Sequence, residues 1–203
     1  MAVARAVWGF IEQRDLRLMR RLHRWRAPRP VRILMLMMSR LGNGWLWYSL
    51  GIFVLVCGGQ NRYRAFFAGA LSALTAILIF QRVKPFSRRR RPCEIEPHCW
   101  AVITPPDRFS FPSGHAMTSF AIAIAVGNFY PQCQPCLLAV AAMIAVSRII
   151  VGMHFLTDII AGALIGALIG YLSVWLFLKA LLGGSLPMGF LLYLRDRKAL
   201  RSS

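Results

Sequence analysis

The sequence predicts an all-α fold, a polytopic membrane helix bundle of about six transmembrane helices with an N-terminal amphipathic interfacial helix, and three observations predict it. Hydrophobic residues fill 57% of the 203 positions and charged residues only 16%, with a mean hydropathy of +0.53, far from the balance of a soluble domain. The apolar residues are gathered into runs: Trp45 to Cys57, Ala65 to Val83, Ala116 to Phe129, Leu137 to Val151 and Phe155 to Leu182. The clusters of basic residues flank these runs. A bilayer core of about 30 Å takes about 20 apolar residues per helix, so the length holds about six spans and little else. Residues 1–203 therefore read as a single membrane-embedded domain, with 1–28 a basic amphipathic N-terminal segment and 84–111 an outer loop.

In the N-terminal segment Ile11, Leu18, Leu22 and Trp25 fall on one helical face and Arg14, Arg17, Arg21 and Arg24 on another, the pattern of a helix lying in the membrane interface. Charges persist through Arg32 where a signal peptide would have its apolar core. The stretch from Val31 to Leu41 is short and carries Arg40, so it is either a short first span or an interfacial helix. An Arg-rich beginning and a tail with Arg195, Arg197, Lys198 and Arg201 both read as cytoplasmic. Ends on one side require an even number of spans, and six fits. Arg62, Arg64 and the turn at Asn128 to Pro135 then share the cytoplasmic side, while Lys84 to Phe111 and the turn near Gly152 lie outside. The outer loop carries Arg88, Arg89, Arg90 and Arg91 against the positive-inside bias, and a site built to hold an anion is a physical reason for that. In the last run Gly162, Gly166 and Gly170 recur every four residues, which allows close helix packing.

Lys and Arg total 25 against 7 Asp and Glu, a net charge of +18. In a chain this apolar, such charge points to anionic membrane lipids as partners and not to nucleic acid, for which no binding module is present. Five cysteines make no disulfide scaffold. Cys133 and Cys136 lack the second ligand pair of a zinc site, and Cys93 and Cys99 are placed to pair only if their segment faces an oxidising compartment.

Three segments put ionisable groups at the ends of apolar helices, where their desolvation demands a reason. They are Lys84, six intervening residues, then Arg91-Pro92; Pro112-Ser113-Gly114-His115; and Ser147-Arg148, five intervening residues, His154, three more, then Asp158. With six spans all three reach the same face. Lys84, Arg91 and Arg148 would supply cations suited to the oxygens of a phosphoryl group. Ser113 and Gly114, at a helix start, would add a hydroxyl and backbone N–H groups. Asp158, four residues after His154 and its neighbour in a helix, would fix its tautomer and make it a nucleophile, while His115 would protonate a leaving oxygen. Glu94, Glu96 and Asp107 form no carboxylate cage, and the cations would repel a metal, so no metal or cofactor is expected.

Together the three segments resemble the signature of the type 2 phosphatidic acid phosphatase superfamily, with all parts in order from Lys84 to Asp158. The resemblance implies that His154 forms a phosphohistidine, Asp158 orients it, His115 is general acid and then base, and Lys84, Arg91, Ser113, Gly114 and Arg148 bind phosphate. It implies a phosphatase acting on a lipid phosphate or diphosphate, such as undecaprenyl diphosphate, phosphatidic acid or phosphatidylglycerol phosphate. The expected location is the bacterial inner membrane, with the site facing the periplasm or cell exterior. A phosphotransferase passing the group to another lipid is the alternative. An anion transporter would place its ionisable residues near mid-span, whereas here they gather at one end.

Overall fold

The computed structural model describes residues 2–25, 27–95 and 107–181, and every regular element in them is helical. In chain order these are α1 (Ala2–Arg24), α2 (Arg29–Leu41), α3 (Trp45–Cys57), a 3-10 turn (Gly59–Asn61), α4 (Arg62–Ser87), the single turn α5 (Pro92–Ile95), α6 (Gly114–Phe129), α7 (Gln134–Ile150) and α8 (Leu156–Leu181). The apolar runs coincide with α3, α4, α6, α7 and α8. Glu96, Cys99 and the basic tail from Arg195 to Arg201 lie outside the described residues, and with them the pairing of Cys93.

The centre is α6, which packs against α4, α7 and α8 and is buried along nearly its whole length. Its uniform apolarity, without an amphipathic stripe, is what a helix surrounded by others requires. The α6/α8 contact is set by glycine. A Cβ on Gly162 would lie 2.6 Å from the Ser113 carbonyl oxygen, and one on Gly166 2.2 Å from that of Met117. Backbone-on-backbone packing at these points brings the starts of α6 and α8 together. The outer flank of α8 presents Leu164, Leu168, Leu172 and Leu176 to the surroundings, a stripe at helical spacing suited to lipid.

Two stretches, 59–95 and α8, are long and apolar enough to cross a membrane, while α3 and α7 are shorter apolar helices. The 13 residues of α3 come to about 20 Å at 1.5 Å each. Even so, α3 reaches the end of the bundle remote from the predicted site, where the Tyr130 hydroxyl after α6 donates to the Gly58 carbonyl at 2.8 Å. Val31 to Leu41 falls in α2, which packs on α7 and meets α3 through the Gly42-Asn43-Gly44 turn at the site end.

The N-terminal segment forms a helix with its arginines at 14, 17, 21 and 24 exposed, but its placement corrects the topology argument. Rather than lying at the far end, α1 docks at the site end: Trp8 sets its ring edge to Phe111 with centroids 5.7 Å apart, and Met19 is buried with Ala145, Ile149, Phe155 and Ile159. The docking face runs through Asp15 and Met19, and Trp25 stays exposed. The reason is electrostatic: Asp15 is drawn to a buried arginine of the site loop. The even count of spans loses the premise that placed the N-terminus opposite the site.

Candidate active site

Each signature segment is shaped by a local device. After α4, Arg88 adopts a left-handed conformation with φ of 48°, which reverses the chain and leaves residues 88–91 non-helical. Side chains then alternate, so Arg88 and Arg90 are exposed while Arg89 and Arg91 are buried. After α7, Gly152 takes φ of 78°, and the N–H groups of Met153 and His154 both return to the Arg148 carbonyl, at 2.9 and 3.2 Å. This left-handed glycine cap explains the spacing of Arg148 and His154, because it folds the histidine back beneath the arginine. At the start of α8 the Asp158 carboxylate accepts the Phe155 N–H at 2.9 Å, a reach back across the first turn like that of a capping box. The His154–Asp158 pair therefore arises from a helix cap: His154 precedes α8, and the two are not successive turns of one helix as the spacing of four suggested.

Lys84, Arg91, Gly114, His115, Arg148 and His154 all line one cavity of about 1270 Å³. His154 is fully buried, with Nδ1 3.7 Å from Asp158 Oδ2 and without a hydrogen-bond partner. Its Nε2 stands 3.5 Å from Arg91 Nη1, so this nitrogen faces the cations. Burial first, and then the charges of Arg91, Arg148 and Lys84, hold the imidazole well below the ordinary histidine value. A neutral ring with one nitrogen toward a carboxylate and the other toward cations is arranged for nucleophilic attack on an anion.

The cations are positioned from behind. Arg91 donates through Nη1 to the Met153 carbonyl and through Nε to that of Asp107, both at 2.9 Å. Lys84 and Arg91 each meet Asp107 at 2.6 Å. Burial opposes ionisation of Asp107, but the hydrogen bond and charge of Lys84, with Arg91, outweigh it and hold the carboxyl below its usual range. Arg148 is 1% exposed; it donates to the Ser39 hydroxyl and, among the described residues, meets no carboxylate. A buried guanidinium whose side-chain partner among the described residues is a hydroxyl keeps donors that can meet an anion.

Ser113 and Asp158 stand behind the cavity wall. Ser113 Oγ caps α6 by accepting the Ala116 N–H at 3.4 Å, and its own N–H donates to the Asp158 carbonyl at 3.1 Å. The hydroxyl expected to meet phosphate thus serves first as a helix cap. Gly114 lines the cavity, and a Cβ there would press on the Phe80 ring at 3.1 Å.

Sequence reasoning missed four contributors. Asn43 sets Oδ1 2.8 Å from His115 Nε2, and a Cβ on the preceding Gly42 would meet that ring at 3.2 Å. Asp107 was dismissed as a stray carboxylate. Arg89 donates to Asp158 Oδ1 at 2.6 Å, and Asp15 accepts from Arg89 at 2.7 Å. The usable signal was the run of four arginines: in an extended segment two must point the same way. Among the described residues no cluster of metal-ligating side chains occurs.

Comparison with known proteins matches residues 63–181 to the PAP2 superfamily. The chain is 31% identical over 124 residues to the decaprenylphosphoryl-5-phosphoribose phosphatase of Mycobacterium tuberculosis, covering 61% of this chain and 67% of that one. It is 27% identical over 139 residues to the phosphatidylglycerophosphatase B of Bacillus subtilis, covering 62% and 66%. The crystal structure of Aquifex aeolicus LpxE superposes with a TM-score of 0.63 at 25% identity, over 78% of this chain and 93% of that one. The transmembrane PAP2-type phosphatidylglycerolphosphate phosphatase from Bacillus subtilis gives 0.65 at 23%, over 83% and 87%, a likeness of fold. Since the matched segment holds every part of the signature from Lys84 to Asp158, the chain belongs to the PAP2 superfamily.

Proposed function

We propose that this PAP2 lipid phosphatase removes the terminal phosphate of a lipid phosphate or diphosphate through a phosphohistidine at His154. The carrying observation is the cavity: its charged end holds Lys84, Arg91, Arg148, His115 and His154, and its walls continue along α3, α4 and α6 past Leu50, Val54, Phe66 and Val126. Such a cavity takes an anionic headgroup and an apolar chain together. The matched relatives are phosphatases by name, decaprenylphosphoryl-5-phosphoribose phosphatase and phosphatidylglycerophosphatase B among them.

In the first step the phosphate displaces Asp107 from Lys84 and Arg91 and engages Arg148. His154 Nε2 then attacks phosphorus, the bond to the lipid oxygen breaks, and His115 gives that oxygen a proton. Asp158 stabilises the positive charge that appears on the His154 ring. In the second step His115 takes a proton from water as its oxygen attacks phosphorus, the N–P bond breaks, and inorganic phosphate leaves. Positioned cations supply the charge stabilisation that phosphoryl transfer needs, and the Gly114 N–H at the start of α6 adds a donor, with Ser113 holding that turn as its cap. No metal takes part.

The chain acts as one membrane-embedded domain, with the site end toward the periplasm or cell exterior. A cysteine near Arg108 labelled by an impermeant reagent on intact cells tests this orientation, and a cysteine protected from that reagent would reverse it. The function is tested by phosphate release from the purified protein across a panel of lipid phosphates and diphosphates with a strong chelator present. The reading expects free inorganic phosphate from at least one lipid. A phosphorylated acceptor lipid in place of inorganic phosphate would make the protein a phosphotransferase, and release dependent on added metal would contradict the mechanism.

A further inference from the structure

Behind Asp158 lie two further buried charges, Arg89 and Asp15, that the reaction just described does not use. Arg89 Nη1 donates to Asp158 Oδ1 at 2.6 Å and to the Thr157 hydroxyl at 2.8 Å. Its Nη2 donates to Asp15 Oδ2 at 2.7 Å. Asp15 also receives the Thr157 N–H at 3.4 Å and the Thr157 hydroxyl. Side-chain exposure is 3% for Arg89, 4% for Asp15 and 0% for Asp158. The guanidinium carbon lies 4.3 Å from the Phe155 ring and 5.4 Å from that of Trp8, so aromatic faces from α1 and the α8 start hold it in place.

We propose that Asp15 and Arg89 are positioning residues for catalysis, and that α1 therefore completes the active site from outside the family-matched segment 63–181. Asp158 has two oxygens with separate duties: Oδ1 is fixed by Arg89, which leaves Oδ2 for the Phe155 N–H and for the face of His154. Charge makes Asp15 more than a docking peg. One arginine between two carboxylates carries a net charge of minus one, and it sits behind an imidazole that turns positive when it takes the phosphoryl group. With Arg89 and Asp158 alone the pair would be neutral and would offer the cationic ring less. Asp15 thus restores to Asp158 the negative charge that Arg89 would otherwise absorb, while Arg89 keeps the carboxylate oriented.

The inference rests on the phosphohistidine reading, and its test separates the two. Steady-state phosphate release from a lipid phosphate in detergent is measured for the wild type, Asp15→Asn, Asp15→Glu, Arg89→Met and Met19→Ala, with a thermal unfolding midpoint for each. Acid-labile labelling of His154 in the wild type by an activated aryl phosphate tests the reading itself; the ratios among variants test the relay. Asp15→Asn should lower kcat about tenfold and Arg89→Met about 100-fold, with KM within about twofold of wild type, because ground-state phosphate binding is untouched. Asp15→Glu should return kcat to within about threefold of wild type by restoring the charge. Met19→Ala, which loosens α1 without touching the relay, should lower the unfolding midpoint while leaving kcat within about twofold. The proposal is overturned if Asp15→Asn keeps wild-type kcat, or if Met19→Ala loses as much kcat as Asp15→Asn, since α1 would then be a structural brace alone.

Discussion

Two aspartates in this site are each bound to an arginine at 2.6 Å, yet they live in opposite surroundings. The Asp107 side chain is 36% exposed and sits in the cavity across Lys84 and Arg91. Asp158 is wholly buried behind His154, fixed by Arg89 and by the Phe155 N–H. The same contact therefore has two meanings. In front, a carboxylate occupies cations that a phosphate can claim with more oxygens and more charge. Behind, the pair has no competitor and serves as fixed scaffolding for the nucleophile. Distance alone does not tell a placeholder from a catalytic partner; the side on which solvent and substrate arrive does.

The largest effect expected from this contrast is at the back. Asp158→Asn keeps the shape but loses the charge that orients and supports His154, so kcat should fall about 10³-fold with little change in KM. A loss no greater than that of Asp107→Asn would erase the distinction. At the front, His115→Ala should lower turnover of an alkyl lipid phosphate about 10²-fold while an activated aryl phosphate, which needs little protonation, still labels His154. Equal losses on both substrates, measured by steady-state release and by labelling, would remove His115 from the role of acid.

Acidity gives a smaller contrast. His154 is held well below the ordinary histidine value, so its neutral form persists as pH falls through about 6.5, where an ordinary imidazole gains its proton. Labelling by the aryl phosphate, corrected for substrate ionisation, should stay within about twofold between pH 7.5 and 5.5, where an unperturbed histidine would lose about tenfold. The smallest effect belongs to Asp107. Asp107→Asn should leave kcat within about threefold and lower KM, because the competing carboxylate is gone. Its folded-state pKa is depressed, so its stabilising contribution is present above the unfolded value of about 3.9 and fades as pH falls through the folded value. The difference in denaturation midpoint between wild type and Asp107→Asn should therefore shrink below about pH 4. A difference that grows on acidification would contradict the assignment.

The back and the front were not equally legible in the sequence. Lys84, Arg91, His115, Arg148 and His154 were readable because each sits at the end of an apolar run, where burying a charge demands a reason. The helices were readable because long apolar runs bounded by polar turns leave few alternatives, although α3 and α7 are shorter than a full span. Asn43, Asp107 and Asp15 were not, because each acts across a long sequence separation and carries no local pattern, while Arg89 was visible only as one of a run of four arginines. Asp107 was visible only as one carboxylate of a scattered loop. Asp15 lay on a helix whose many arginines suggested an interface, and nothing in its own neighbourhood announced a partner 74 positions away. The docking face of α1 is therefore a rotation of the predicted one: Leu22 packs in it, Trp25 stays exposed, and Asp15 and Met19 take the buried positions. The pair of His154 and Asp158 was found for an incomplete reason, since the spacing of four is set by a helix cap.

The central claim is that His154 accepts the phosphoryl group, and covalent trapping tests it most directly. Purified protein is mixed with a radiolabelled activated aryl phosphate, quenched rapidly, digested and mapped. The account predicts an acid-labile label on the peptide containing His154, present in His115→Ala and absent from His154→Ala. A label that maps to His115, or that still forms in His154→Ala, would contradict it.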